Sequence, residues 1–432
     1  MKPTVLRLVA GGLLAAASAA SSLAQQLSFQ PDHASGIYAR GETVGWTVTR
    51  PEGAVVPDGG YTYTIKRNGL DVIKSGPLDL AKGPGRIESS LAEPGTLFVE
   101  VLPAGSGKKR NIAGAAVDPF ALQPAVPCPA DFDAFWAAKI KDLEAIPAEP
   151  VVTPGEAGRD GVEYATIKMN NIFGAHVYGQ LARPAREGKF PAMLVLQWAS
   201  PPYPLQKSWV TEPAAKGWLV LNVEPHDVPS DLPREFYAAL PTMIKRYNTI
   251  YNDDRDRNYF LSMYLGDYRA VDYLASRPDW DGQTLLVIGA SMGGQQSLAV
   301  AGLHPAITHV IVNVPAGADS NAALHGRAPG YPNWDDKNPK VMETALYFDT
   351  VNFAPHIKAR TLFAMGFVDE TCPPVGDFTA FNQIRAPKEL VPMIDSPHNN
   401  HSTKAQQQPY TDRSAAWLDA LVKGEPVPLA AK

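Results

Sequence analysis

This chain is poor in cysteine and has no concentrated charge. Cys128 and Cys372 are its two cysteines in 432 residues. Two cysteines cannot complete a zinc site unaided, and neither H-E-x-x-H nor C-x-x-C occurs. No metal and no cofactor are therefore expected. Lys and Arg number 39 against 44 Asp and Glu, for a net charge of −5. No basic run rises above a solvated surface, so nucleic acid is not an expected partner. Beyond the N-terminus no apolar run is long enough to suggest a membrane span. The 45% hydrophobic and 19% charged residues are ordinary for a globular protein, and the length is enough for two domains. Forty prolines point to a loop-rich chain with well-defined turns.

The N-terminus reads as a signal peptide over residues 1–24. Lys2 and Arg7 supply positive charge, the stretch from Leu8 to Ala20 is apolar, and Ser22-Leu23-Ala24 fits the small-x-small cleavage pattern. An uncleaved anchor is disfavoured because the run is short for a bilayer. The expectation is an exported protein, periplasmic or extracellular, with no membrane contact after cleavage. In such a compartment Cys128 and Cys372 can either pair or remain separate thiols, and the sequence does not decide between these.

Residues 25–118 read as all-β. Tyr61-Thr62-Tyr63-Thr64-Ile65-Lys66 alternates, Asn68-Gly69 supplies a hairpin turn, and Gly95 to Val101 is a further strand. A small immunoglobulin-like sandwich is expected here, with no catalytic constellation of its own. Residues 119–130, rich in Pro and Ala, read as a linker. From Asp131 the apolar spacing becomes helical, with an early acidic cap. Strands predicted at Phe190 to Gln197, Trp218 to Val223, Thr284 to Ile288, His309 to Asn313, Arg360 to Met365 and Glu389 to Ile394 then alternate with helices, among them Tyr259 to Ala275. That alternation implies a doubly wound α/β domain with a mostly parallel sheet over residues 131–424, followed by a tail at 425–432.

Gly289-Ala290-Ser291-Met292-Gly293 lies between a strand-like and a helix-like run. This is G-x-S-x-G in strand–turn–helix context, the nucleophile elbow of α/β-hydrolases. A serine needs a positioned histidine, itself oriented by a carboxylate, and in this fold the chain order is Ser, acid, His. Asp369, just past a strand end, is the expected acid, with Glu370 as the fallback. His398, in the loop after the last strand, is the expected base, with His401 as the alternative. The oxyanion hole requires two backbone N–H donors. Met292 should supply one, and the loop after Met193–Gln197 the other, from Ala199 or Trp198.

From about Cys128 to Leu421 the chain resembles the acetyl xylan esterase/cephalosporin C deacetylase family. The resemblance is carried by Pro129 to Trp136, Tyr268 to Leu274, Arg277 to Gly282, Gly289 to Gly294, Tyr347 to Ala354 and Gly366 to Pro374. It implies that Ser291, Asp369 and His398 occupy the triad positions of a serine esterase that removes acetyl or other short acyl groups from oligosaccharides such as acetylated xylan. Three departures stand out. Met292 replaces the family's frequent Gln, Gln197-Trp198-Ala199-Ser200 lacks its His-Gly pair, and Glu224-Pro225-His226-Asp227 stands in the region of its R-G-Q motif. Trp198, Tyr203, Trp209 and His226 are the candidate substrate contacts. A prolyl-oligopeptidase-like peptidase and a non-catalytic carbohydrate-binding protein are the competing readings. Oligomeric state is not readable.

Overall fold

The computed structural model describes residues 27–54, 56–104 and 110–428. The expected signal peptide and the last four residues of the tail lie outside them. Among the described residues no helix is long and apolar enough to cross a membrane.

The N-terminal unit is built from two sheets. One has three strands, with Val44–Thr49 between Ser28–Pro31 and Gly85–Ser89. The other has five, in the order Ile37–Tyr38, Asn111–Val117, Gly95–Pro103, Tyr61–Arg67, Asp71–Leu78. Every second residue of a strand faces the same way. Val44, Trp46 and Val48 from one sheet therefore share a core with Ile65, Leu97, Val99 and Val101 from the other. The hairpin turn lies where Asn68-Gly69 predicts it, with φ of 51° and 71° at the two residues. Both are left-handed, the geometry that closes a hairpin and that Asn and Gly tolerate best. The linker residues are docked rather than loose. Leu122 is buried, and the Asn382 side chain donates to the carbonyls of Pro119 and Leu122 at 2.9 and 3.0 Å.

The larger sheet has nine strands: β1 (Val151–Gly155), β2 (Val162–Asn170), β3 (His176–Pro184), β4 (Phe190–Leu196), β5 (Leu219–Val223), β6 (Trp280–Ala290), β7 (His309–Asn313), β8 (Arg360–Gly366) and β9 (Lys388–Met393). Their order across the sheet is β9-β8-β7-β6-β4-β5-β3-β2-β1. β4 to β9 pair in parallel and correspond to the six predicted strands. β1 to β3 form an antiparallel edge that the sequence reading did not include.

The strand interiors alternate between two cores. Leu194, Leu196, Leu285 and Val287 face a layer formed by the helices Phe132–Glu144, Tyr259–Ser276, Met292–Leu303 and Pro374–Gln383. Met193 and Leu286 face the helices Ser208–Ala215 and Gln408–Val422. One expectation is corrected. Asp131 precedes its helix but makes no capping bond, because its carboxylate instead accepts from the Tyr347 hydroxyl and, at 2.8 Å, from Arg255. Cys128 and Cys372 are unpaired, one exposed and the other buried.

Candidate active site

Ser291 occupies the tight turn between β6 and the helix Met292–Leu303, at φ 55° and ψ −123°. A side chain other than Gly is strained there, and such strain persists only where neighbouring structure over-determines it. Its N–H donates to the Asn313 carbonyl, and its own carbonyl accepts from Gln295 and Ala316 N–H, each at 3.0 Å. The flanking glycines are steric requirements. A Cβ on Gly289 would lie 2.3 Å from the Gly293 backbone, and one on Gly293 would lie 2.3 Å from the Leu196 carbonyl oxygen.

Asp369 and His398 reach the serine from the loops after β8 and β9. His398 Nε2 lies 3.0 Å from Ser291 Oγ, and His398 Nδ1 lies 2.7 Å from Asp369 Oδ2. The other Asp369 oxygen accepts N–H groups of Thr371 and Cys372, both at 2.8 Å. With that oxygen held, the second is aimed at the imidazole. All three residues are buried. The carboxylate dictates that Nδ1 carries a proton, which leaves the Nε2 lone pair for the serine hydroxyl. The two fallback residues lie elsewhere: Glu370 pairs with Arg110, and His401 is exposed, with its backbone N–H bonded to the His398 carbonyl at 2.8 Å.

The Cys372 thiol is buried beside this group. Burial pushes its pKa well above the usual range, and the nearby Asp369 and Asp377 carboxylates push the same way. Asp369, Cys372 and His398 offer donor atoms within 4.8 Å of one another, but both ring nitrogens of His398 already have partners in the Ser–His–Asp chain.

Met292 opens its helix, where first-turn N–H groups lack intrahelical acceptors and the dipole favours negative charge. Its side chain is fully buried, and its sulfur accepts the Tyr247 hydroxyl at 3.1 Å. The Tyr247 and Tyr331 hydroxyls are 2.6 Å apart. Neither tyrosine was singled out from the sequence, since both lie in irregular segments without periodicity.

The loop after β4 is fastened at several points. Gln197 accepts from the Tyr203 hydroxyl through its side chain and from Gln296 through its carbonyl, both at 2.9 Å. His226 Nε2 lies 2.9 Å from the Ser200 carbonyl, and its Nδ1 lies 2.9 Å from the Tyr259 hydroxyl. A carbonyl can only accept, so Nε2 carries the proton and Tyr259 donates to Nδ1. Burial lowers the His226 pKa to about 4 and keeps the ring neutral. His226 thus has no ring nitrogen left for a substrate. Ala199 is half-buried in this loop. Trp198 is 42% exposed. It stacks on Tyr203 at 5.5 Å and meets Trp209 edge-on at 5.2 Å. A cavity of about 400 Å³ lies beneath, lined by Trp198, Trp209, Trp218, Tyr410 and Leu418 among others.

Comparisons with known proteins agree with this architecture. Residues 121–420 match the family model for acetyl xylan esterase (AXE1). The acetyl esterase Axe7A of Xylanibacter ruminicola is 31% identical over 404 residues, covering 91% of this chain and 90% of that protein. Among solved structures, the acetyl xylan esterase from Paenibacillus sp. R4 superposes with a TM-score of 0.59 at 22% identity, covering 71% of this chain and 98% of that one. Acetyl xylan esterase 1 from Thermoanaerobacterium sp. JW/SL YS485 gives 0.57 at 20% identity, covering 70% and 97%. These two likenesses establish the α/β-hydrolase fold of the larger unit.

Proposed function

Since the chain belongs to the acetyl xylan esterase family and is a carboxylic ester hydrolase, we propose that it is an exported serine esterase that removes acetyl groups from acylated oligosaccharides of the xylan type. The observation that carries this reading is the hydrogen-bonded chain Ser291 Oγ–His398 Nε2, 3.0 Å, and His398 Nδ1–Asp369 Oδ2, 2.7 Å.

In this mechanism Ser291 Oγ attacks the ester carbonyl carbon while its proton passes to His398 Nε2. The negative charge developing on the carbonyl oxygen is met by the N–H of Met292 and a second N–H from the loop at Ala199. The intermediate collapses as the bond to the sugar oxygen breaks, and His398 protonates that oxygen. Water then loses a proton to the same nitrogen and attacks the acyl carbon; the bond to Ser291 Oγ breaks, His398 returns the proton to Oγ, and acetate leaves. Asp369 holds the imidazole tautomer and stabilises the imidazolium.

Trp198, with Tyr203 and Trp209 packed against it, offers an aromatic face to a pyranose ring at the edge of the loop. His226 contributes by fastening Ser200. The charged, apolar and small-residue segments of residues 1–24 support export to the periplasm or beyond. The two N-terminal sheets around one core support an immunoglobulin-like sandwich.

The test is acetate release from acetylated xylo-oligosaccharides by the intact protein and by Ser291→Ala. Release that disappears in the variant supports both nucleophile and substrate. Cleavage of small aryl acetates alone discards xylan and keeps the mechanism. Inactivity on both substrates overturns the esterase reading.

A further inference from the structure

Asp369 is held by a loop that the N-terminal unit grips from outside. The next residue, Glu370, receives both terminal nitrogens of Arg110, at 3.0 and 2.6 Å. Arg110 also bonds Glu100 at 2.6 Å, and Glu100 pairs with Lys66 at 3.0 Å. The fork is thereby tied to the strands Gly95–Pro103 and Tyr61–Arg67. The backbones also meet. A Cβ on Gly114 would lie 2.4 Å from the Phe367 carbonyl oxygen, two residues before Asp369. One on Gly36 would lie 2.9 Å from Ile394, in the segment that leads to His398. A second grip runs through the hairpin turn. The Asn68 carbonyl accepts the Ala328 N–H at 2.8 Å, and three residues on, the Tyr331 N–H donates to the Thr371 carbonyl at 2.8 Å.

We propose that Arg110 is a positioning residue for the ester hydrolysis, acting across the joint between the two units through Glu370 to hold Asp369 against His398. The inference rests on the reading of Asp369 as the triad acid. Both partners are nearly half exposed, so the pair adds little to global stability. Its effect lies in geometry. Asp369 reaches one side of His398 and Ser291 the other, so a shift of the acid loop changes the direction of the imidazole lone pair. Displacements of about 1 Å at such distances cost up to roughly a hundredfold in rate.

The test measures kcat, KM and the pH dependence of kcat/KM on p-nitrophenyl acetate for the intact protein, Arg110→Ala, Glu370→Ala, the double variant and Asp369→Ala, with the Tm of each. The expected result for Arg110→Ala is a kcat lowered about tenfold with KM unchanged and Tm within a few degrees. The double variant should lose no more than either single one, because one contact is removed in all three. If Arg110→Ala does not fold, Glu370→Ala makes the same test from the other side. Single variants with wild-type kcat beside an impaired Asp369→Ala overturn the inference, and so do losses that multiply in the double variant. An unimpaired Asp369→Ala overturns the triad reading instead.

Discussion

In the proposed mechanism the chemistry depends on where three side chains point, and each direction has a separate cause. Ser291 is raised by a strained turn that two glycines make room for, Asp369 is oriented by two backbone N–H groups, and His398 is aligned between them. Because Asp369 acts only through His398, its loss should cost less than loss of the nucleophile. Ser291→Ala is expected to lower kcat on the order of 10⁶-fold and Asp369→Ala on the order of 10⁴-fold. Equal residual rates on an aryl acetate count against this division of roles. Gly293→Ala should destabilise the fold by about 1–3 kcal/mol, since the new methyl meets the Leu196 carbonyl rather than a yielding side chain. Chemical denaturation of that variant checks this.

At the scale of elements, the loop after β4 is the least self-sufficient part of the site. No helix or ladder holds it, so it depends on side chains from elsewhere, His226 prominent among them. Since burial lowers the folded-state His226 pKa to about 4 from an ordinary 6.5, the folded protein keeps the ring neutral while the unfolded chain takes up a proton below about 6.5. The stability that His226 contributes is therefore complete above pH ~6.5. It is eroded as pH falls towards 4, by about 3 kcal/mol at most. His309, also lowered to about 4 by burial, adds to the same acid limb. His226→Gln should lower Tm at pH 7 and flatten its fall between pH 6.5 and 4. An unchanged slope in a thermal scan series removes His226 as a cause.

For the whole molecule, the telling groups are buried carboxylates without partners. Among the described residues neither oxygen of Glu224 finds a hydrogen-bond partner, and the same holds for one oxygen each of Asp267 and Asp377. Burial raises all three well above the usual carboxylate range, with Asp369 adding to the shift at Asp377. A raised folded value means that stability is complete below the unfolded value near 4.5 and is lost as pH rises through the folded one. Glu224→Gln should therefore gain stability relative to the parent as pH goes from 5 to 8, as urea unfolding at the two pH values will measure. A pH-independent difference between the proteins excludes this origin.

Much of the architecture was legible because it rests on local pattern. Continuous apolar runs mark β4, β5, β7 and β8, buried on both faces. Gly289 to Gly293 announces a turn that only glycines allow, and Asn68-Gly69 marks a hairpin for the same steric reason. Of the edge strands β1 to β3, only Ala165 to Met169 carries a clear apolar–polar alternation, too short a stretch to mark three antiparallel strands. The choice of Asp369 over Glu370 is of another kind. Both are carboxylates on one loop, and only packing sends Asp369 inward to His398 and Glu370 outward to Arg110. The neutral state of His226, the separation of the two cysteines and the grip of the N-terminal unit on the acid loop likewise join residues far apart in the chain. Local propensity and spacing dictate which elements form, and so lie in the sequence itself. Which of two neighbouring carboxylates faces His398 depends on contacts that span 29 residues for Asp369 and 260 for Glu370, and these exist only once the chain has folded.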